Sequence, residues 1–253
     1  MICDQKSEIR SQIPVHKFPK MKNIAIILSG CGNRDGSELQ ETLSLMLAID
    51  RKGWQYQCFA PEGLFEVVSH VDDRPTEDDD AEEGSLVDVE QRDIYEESAR
   101  IARGNIKPLD QYRAADYDAL ALPGGMGAAR NLSTYAFDGP HMTIIDGVID
   151  AILETYRAHK PVCAECIAPI VVAKVLGRYG VHLTLGHECQ ASRIAAGFGA
   201  VHEACEPGEV CVDSENKVIT TPAYMVATRI SEIFQGSDNL VDELEKMLER
   251  GNN

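Results

Sequence analysis

The sequence predicts an α/β fold: a doubly wound, mostly parallel sheet with helices on both faces. Short, continuously apolar runs, such as residues 23–29 and 118–122, have the composition of strands that are buried on both faces. Segments with apolar residues at helical spacing alternate with these runs, and this alternation is typical of parallel sheets with crossover helices. The chain of 253 residues is long enough to bury one complete core.

The first predicted unit joins a strand over 23–29 to a helix that begins at Ser37 and runs for about 15 residues. A Gly-rich turn over 30–36 separates the two, and Ser37 is the expected N-cap. Apolar residues recur between 39 and 49 at the spacing of a buried helical stripe. A second strand is predicted over 55–60, and a helix near 94–103.

The second half of the chain continues the alternation. Ligands of doubly wound sheets bind beyond the carboxyl ends of the strands, so the turns after Ser29, after Leu122 and at Cys166 are expected at one edge. The predicted elements are strands over 118–122, 162–165, 210–213 and 217–221, and helices over 144–158, 167–176, 223–234 and 239–249.

We expect one domain over 21–250, preceded by a loosely ordered extension over 1–20. The net charge is −17, and residues 72–97 alone carry −11. Segment 72–93 is therefore predicted to be an acidic loop insertion. This charge disfavours nucleic acids and anionic membranes as partners.

The expected location is cytoplasmic, with mitochondrial import as the alternative. No apolar run approaches the roughly 18 residues of a transmembrane helix. Residues 1–20 lack the apolar core of a secretory signal but carry several cationic side chains. The eight cysteines have no regular spacing, which indicates free thiols in a reducing compartment.

Cys166 is the strongest candidate for a catalytic residue, because it falls between a predicted buried strand and a predicted helix. A thiol on such a turn lies at the carboxyl edge of the sheet, near the positive end of a helix dipole that favours the thiolate. A cysteine in apolar surroundings is more often an inert core residue. The prediction therefore depends on the strand–turn–helix context.

Two further groups of residues complete a candidate site. Gly124 and Gly125 follow a strand end directly, and their amides, together with that of Ile167, are placed to cradle a carbonyl oxygen. Glu38 and Glu41 lie three residues apart in the first turns of the first helix. One is expected to be a capping acid and the other to move protons beside the thiol.

His187 follows a short apolar run and is a candidate to orient or deprotonate the thiol, although an ordinary surface or core histidine fits equally well. Cys163 is three residues from Cys166, but strand alternation places the two on opposite faces, which disfavours a redox pair. A zinc site formed by these cysteines with His187 and Cys189 is disfavoured, because its first half is predicted strand.

Several ordered motifs resemble the PfpI-like, class I glutamine-amidotransferase-like superfamily. Within it the chain is similar to the ElbB family (enhancing lycopene biosynthesis protein), described as glyoxalases, and to its vertebrate mitochondrial homologues. The match covers about residues 22–249. The motifs are Leu-Pro-Gly-Gly-Met-Gly-Ala-Ala-Arg-Asn-Leu at 122–132, Cys-Ile-Ala-Pro at 166–169, Leu-Ser-Gly-Cys-Gly at 28–32 and Glu-Ser-Ala-Arg-Ile-Ala-Arg-Gly at 97–104.

The resemblance implies a flavodoxin-like sheet with Cys166 as the nucleophile at an elbow. It implies that Glu41 is the carboxyl that contacts the thiol, because the Gly-x-Glu-x-x-Glu spacing from residue 36 matches the superfamily pattern. It also places His187 where many members carry a histidine, and Asn131 within the substrate-binding motif. Ile167 stands where the superfamily's proteases have histidine, which argues against peptidase activity.

The implied function is a glutathione-independent lyase of the glyoxalase III type. It would convert methylglyoxal or glyoxal to 2-hydroxy acids through a hemithioacetal on Cys166, with no metal or organic cofactor. The alternatives are a non-enzymatic thiol redox sensor and a stress-response or regulatory protein of isoprenoid metabolism. A homodimer is expected, with a small-molecule aldehyde as partner.

Overall fold

The computed structural model describes residues 21–71 and 90–250, so the predicted extension over 1–20 and residues 72–89 of the predicted insertion lie outside them. The strands are β1 (Asn23–Ile27), β2 (Gln55–Ala60), β3 (Leu64–Glu66), β4 (Gln91–Asp93), β5 (Ile106–Pro108), β6 (Ala119–Leu122), β7 (Val162–Glu165), β8 (His182–Leu183), β9 (Val201–His202), β10 (Cys211–Asp213) and β11 (Val218–Thr221). The helices are α1 (Leu39–Arg51), α2 (Ile94–Ile101), α3 (Met126–Arg130), α4 (Tyr135–Asp138), α5 (Asp146–Arg157), α6 (Pro169–Leu176), α7 (Gln190–Gly197) and α8 (Ile230–Arg250).

A seven-stranded sheet in the order β10-β11-β7-β6-β1-β2-β5 forms the centre of the fold. Every neighbouring pair is parallel except β10 with β11, which are joined by a tight turn and run antiparallel. This architecture confirms the predicted α/β class, with its flavodoxin-like, mostly parallel sheet. Because β1, β6 and β7 are adjacent and parallel, the turns that follow them share one edge of the sheet.

Helices cover both faces of the sheet and divide the core into two apolar clusters. One cluster packs α5, α6 and α7 against the sheet, and the other packs α1, α2 and α8 against the opposite face. Strand alternation sends Ala164 into the first cluster and Cys163 into the second. Cys163 and Cys166 therefore lie on opposite faces, as predicted, and both are free thiols.

The predicted central strands are confirmed within two residues, because strands buried on both faces have an unambiguous apolar signature.

The predicted N-cap of α1 is wrong by one residue. Glu38 is the cap, and its Oε2 accepts from the amide of Glu41 at 2.6 Å. Ser37 instead accepts from the amide of Ser29 at 2.9 Å and so closes the turn after β1.

The two helices predicted near the end of the chain, over 223–234 and 239–249, are wrong as separate elements. The residues Ala223–Met225 form a single 3₁₀ turn, and α8 then runs without interruption. Gly236 and Ser237 resemble a helix end in the sequence, yet both are buried within α8. The small residues serve close packing, since Ser237 Oγ lies 2.9 Å from Glu165 Oε1 and Gly236 lies against Thr221.

Several short elements have no counterpart in the sequence prediction: β3, β4, β5, β8, β9, α3, α4 and α7. Residues 91–93 belong to the predicted acidic loop, but they form β4 and pair antiparallel with β3. All of these except the eight-residue α7 have two to five residues, which is too short for a periodic pattern to reveal them. Within 21–71 and 90–250, no helix combines the length and apolar composition needed to cross a bilayer.

Gly236→Ala should destabilise the protein by about 1–3 kcal/mol, because an added methyl group overpacks the contact between α8 and β11. A Cβ at 236 would lie 2.9 Å from Thr221 Oγ1, and that hydroxyl is fixed by its hydrogen bond to the carbonyl of Glu209. Urea unfolding of both variants measures the effect. The matched control is Gly197→Ala, which has open space around it and should be neutral or stabilise α7 by about 0.5–1 kcal/mol. Equal stability of the two variants would contradict the packing argument.

Candidate active site

Cys166 occupies a strained turn directly after β7. Its φ of 59° lies in the left-handed region, which a non-glycine residue adopts at a cost of about 1–3 kcal/mol. The Cys166 amide donates to the carbonyl of Thr221 at 3.0 Å, and the Ala168 amide closes the turn on Glu165 at 3.0 Å. Pro169 then begins α6 at a position where its missing N–H is not needed. This is the strand–turn–helix arrangement that the sequence predicts.

The thiol lies at the wall of a cavity of about 620 Å³ at the carboxyl edge of the sheet. The turns after β1, β6 and β7 contribute to this cavity, as does the 3₁₀ turn after β11. Cys166 is 8% exposed, so a small ligand in the cavity can reach it. The lining residues are Asn33, Glu38, Gln40, Gly125, Met126, Cys166, Ile167, Tyr224 and Met225.

Glu41 lies behind the thiol, fully buried in the first turn of α1. Its Oε1 accepts from the amide of Tyr224 at 3.2 Å. Gly124 leaves room for this carboxyl and the thiol to approach each other, since a Cβ at 124 would fall 2.3 Å from both Glu41 Oε2 and Cys166 Cβ. Oε2 has no hydrogen-bond partner of strict geometry among the described residues, and the Cys166 thiol is near enough to interact with this carboxyl. Glycine at 124 is therefore required for the contact between acid and thiol.

The carboxyl of Glu41 has a pKa raised to about 8. Burial is the main cause and the charge of Glu38 the second, while interactions with Cys166 and with the amides of Tyr224 and Gly124 partly offset them. A pKa near neutrality suits a group that takes up and releases protons. The structure also separates the roles of the two glutamates, since Glu38 caps α1 and Glu41 faces the thiol.

The thiol of Cys166 has a pKa well above its ordinary value. Burial raises it most, and the charge of Glu41 and the hydrogen bond with Glu41 raise it further. The amides of Gly125 and Ile167 point at the sulfur and lower the pKa, but they do not outweigh burial. The helix dipole alone therefore does not make the thiol acidic, since the thiol is buried and α6 begins only at Pro169. Cys166 depends on a base to take its proton.

Asn131 and His187 lie away from this cavity. The amide of Asn131 donates to the carbonyls of Ser29 and Asp35, at 2.8 and 2.7 Å, and so holds the Gly-rich turn. The side chain of His187 is 59% exposed, and its Nε2 lies 3.2 Å from Glu206. Neither residue lines the cavity. The structure thus brings together Cys166, Glu41 and the glycine turn, and leaves these two predicted residues outside.

Sequence reasoning missed the far wall of the cavity, which Gln40, Met126, Tyr224 and Met225 form. The hydroxyl of Tyr224 hydrogen-bonds to Gln40, which joins the turn after β11 to the start of α1. Only the position of these residues could have identified Tyr224 and Met225 from the sequence. They follow β11, whose carboxyl end lies at the ligand-binding edge of the sheet.

The sequence matches no family model, but curated relatives align with nearly all of it. The mitochondrial glutamine amidotransferase-like class 1 domain-containing protein 3 of Homo sapiens is 39% identical over 229 residues, which are 86% of this chain and 80% of that protein. The mitochondrial ES1 protein homolog of Rattus norvegicus is 36% identical over 250 residues, which are 95% of this chain and 88% of that protein.

Solved structures share the fold. An isoprenoid biosynthesis protein with an amidotransferase-like domain from Ehrlichia chaffeensis superposes with a TM-score of 0.75 and 33% identity, covering 88% of this chain and 99% of that one. Glyoxalase III from Candida albicans has a TM-score of 0.55 and 17% identity, covering 90% of this chain and 97% of that one. At that identity the second likeness shows a common fold alone.

Glu41→Gln should lower the pKa of Cys166, because the charge of Glu41 and its hydrogen bond both raise that pKa. The thiolate is the reactive form, so alkylation of Cys166 by iodoacetamide at pH 8 should become faster. Mass spectrometry of the Cys166 peptide across a pH series measures the shift. The control is Glu97→Gln, a buried carboxylate paired with Arg100 at 3.1 Å, which should leave the profile in place. An unmoved profile in Glu41→Gln would show that the two groups are not coupled.

Proposed function

Because the chain belongs to the ElbB-like family, with the glutamine amidotransferase-like class 1 domain-containing and ES1 proteins, we propose that it is a glutathione-independent glyoxalase. The observation that carries the proposal is the buried contact between the Cys166 thiol and the Glu41 carboxyl at the wall of a small cavity. A nucleophile beside a group that moves protons is what addition to an aldehyde and isomerisation of the adduct require.

The first step joins the Cys166 sulfur to the aldehyde carbon of a 2-oxoaldehyde. Glu41 takes the thiol proton and passes it to the aldehyde oxygen, which gives a hemithioacetal and leaves Glu41 ionised again. The amides of Gly125 and Ile167, which point at the sulfur, lie where they can donate to the developing oxyanion. Because the resting thiol is neutral, the sulfur attacks only as Glu41 takes the thiol proton, and this transfer is completed when an aldehyde is bound.

The second step moves a proton from the former aldehyde carbon to its neighbour through an enediol-like intermediate. Glu41 removes the proton from the former aldehyde carbon and returns it to the neighbouring carbon. The hemithioacetal hydroxyl proton passes to the oxygen of that neighbouring carbon, which leaves a 2-hydroxy thioester on Cys166. Water then breaks the carbon–sulfur bond, releases the 2-hydroxy acid and restores the thiol. The sum is aldehyde plus water to acid, with no net oxidation, so the thiol and one carboxyl supply all the groups required.

The lining of the cavity supports an uncharged, small substrate. Met126, Ile167 and Met225 form apolar walls, and the lining residues include neither Lys nor Arg within the described parts of the chain. Glu38 adds a carboxyl group beside the cavity. A substrate that bears a carboxylate would meet this acid without a cation to pair it, so methylglyoxal and glyoxal fit better.

The location of the protein, its oligomeric state and its partners are further proposals. The names of the human and rat relatives place those proteins in mitochondria, which favours the mitochondrial alternative over a cytoplasmic location. A homodimer and the absence of nucleic-acid and membrane partners remain predictions from the sequence. Sedimentation of the purified chain tests the dimer.

Wild-type protein should convert methylglyoxal to its 2-hydroxy acid, and Cys166→Ser should abolish this activity. Glu41→Gln should lose roughly 10²-fold or more, the usual contribution of acid–base catalysis. The rate should rise between about pH 6 and pH 8, because Glu41 has a pKa of about 8 and acts as a base only when ionised. Product formation followed by NMR measures all three effects.

The control for thiol loss is Cys189→Ser, a half-buried cysteine that caps α7 and whose replacement hydroxyl can still cap. It should retain wild-type turnover. Equal background rates in wild type, Cys166→Ser and Glu41→Gln would exclude the enzyme. Fast gain of oxygen at Cys166 in peroxide, without turnover, would instead support a thiol redox sensor. The raised pKa of Cys166 predicts slow oxidation at neutral pH.

A further inference from the structure

A second buried carboxyl lies behind the candidate active site and takes no part in the chemistry proposed above. Glu165 immediately precedes Cys166 at the end of β7, and its side chain points to the opposite face, between α1 and α8. It is 1% exposed and does not line the cavity. Its Oε2 has no hydrogen-bond partner among the described residues.

A chain of short contacts joins Glu165 to the backbone of Glu41. Glu165 Oε1 lies 2.9 Å from Ser237 Oγ on α8, and Ser237 Oγ lies 2.8 Å from Ser44 Oγ on α1. Ser44 Oγ lies 3.0 Å from the carbonyl oxygen of Glu41. Both serines are almost completely buried, at 0% and 1% exposure. The chain therefore links β7, α8 and the first turn of α1.

Counting protons along this chain indicates the state of Glu165. Three contacts need three protons, and the two serine hydroxyls supply one each. The Glu41 carbonyl can only accept, so Ser44 donates to it, accepts from Ser237, and leaves Ser237 to accept from Glu165. Glu165 can donate only as a protonated acid. If it were ionised, one of the three contacts would bring two lone pairs together in a buried place, which is unfavourable.

The surroundings of Glu165 agree with this count. The ionisable groups that face it are Glu41 and Glu38 from α1 and Cys163 from its own strand, while α8 contributes the neutral Ser237. No cation pairs with it within the described residues. Burial and the charge of Glu41 hold the pKa of Glu165 well above its ordinary range.

We propose that Glu165 is a neutral carboxylic acid that positions Glu41, by heading a hydrogen-bond chain through Ser237 and Ser44 to the Glu41 carbonyl. The chain fixes the turn of α1 from which the Glu41 carboxyl reaches Cys166. Neutrality also removes a buried negative charge that would otherwise oppose ionisation of Glu41. Glu165 is a positioning residue, since it contacts neither the cavity nor the sulfur. The proposal concerns protonation and thiol reactivity, so it stands apart from aldehyde turnover.

Infrared spectroscopy of the whole chain in H₂O and D₂O tests the protonation state. At pH 7 both Glu41 and Glu165 should contribute to the isotope-sensitive band of protonated carboxyl groups. At about pH 9 Glu41 is mostly ionised, because its pKa is about 8, so the remaining band belongs to Glu165. Glu165→Gln should abolish that remaining band. Glu97→Gln, which replaces a buried but ion-paired carboxylate, should leave it unchanged.

The pH profile of Cys166 alkylation tests the positioning role. Glu165→Gln keeps a neutral donor of similar shape, so its alkylation rate should stay within about twofold of wild type. Ser237→Ala cuts the chain and should change the rate by about fivefold or more, or displace the profile. A purely structural role would lower stability in Ser237→Ala without moving the profile of the folded protein.

Besides an alkylation profile that Ser237→Ala leaves in place, two results would overturn the proposal. The first is a wild-type spectrum with no protonated carboxyl at about pH 9, or a band there that survives Glu165→Gln. The second is a Glu165→Gln profile displaced as far as that of Ser237→Ala, since an ionised carboxylate would then be required. Both readouts are independent of glyoxalase activity, so loss of the proposed function would leave this test intact.

Discussion

The contact between the Glu41 carboxyl and the Cys166 thiol is the constraint on which the rest of the site depends. Both groups are withdrawn from water, and burial is the largest reason that both have raised pKa values. Neither ionises freely, so both groups are mostly protonated at neutral pH. The left-handed turn at Cys166 and the absence of a side chain at Gly124 are the local conditions that permit this contact.

The fold supplies these conditions from distant parts of the chain. The acid comes from the helix after β1, the glycine turn from the end of β6 and the thiol from the end of β7, and these strands are neighbours in the sheet. Parallel strands deliver their carboxyl ends to one edge, so three segments spread over more than a hundred residues meet without long loops. Tyr224 adds a fourth segment, since its amide fixes Glu41 from the end of β11.

The sequence was sufficient where a local pattern determines the structure. Strands buried on both faces and the turn at Cys166 have such patterns, and the Glu-x-x-Glu spacing identified two candidate acids. Long-range contacts decided the rest. Ser37 does not cap α1 because its hydroxyl accepts from the amide of Ser29. Asn131 does not reach the cavity because its side chain donates to two carbonyls of the Gly-rich turn. Helix α8 continues through Gly236 because this residue packs against Thr221. No local pattern contains those partners.

The surroundings of three carboxyls close to Cys166 raise the pKa of each. Glu38 is partly buried, which raises its pKa, while three backbone amides stabilise its charge and partly offset this. Glu41 has a pKa raised to about 8, and burial and the charge of Glu41 hold the pKa of Glu165 well above its ordinary value. A carboxyl whose pKa is raised by folding stabilises the protein below its unfolded pKa and loses that contribution as the pH rises through the folded value. For Glu41 this loss of stability takes place between pH 4.5 and about pH 8. The raised pKa therefore lets Glu41 exchange a proton near neutral pH, and it lowers the stability of the folded protein at alkaline pH.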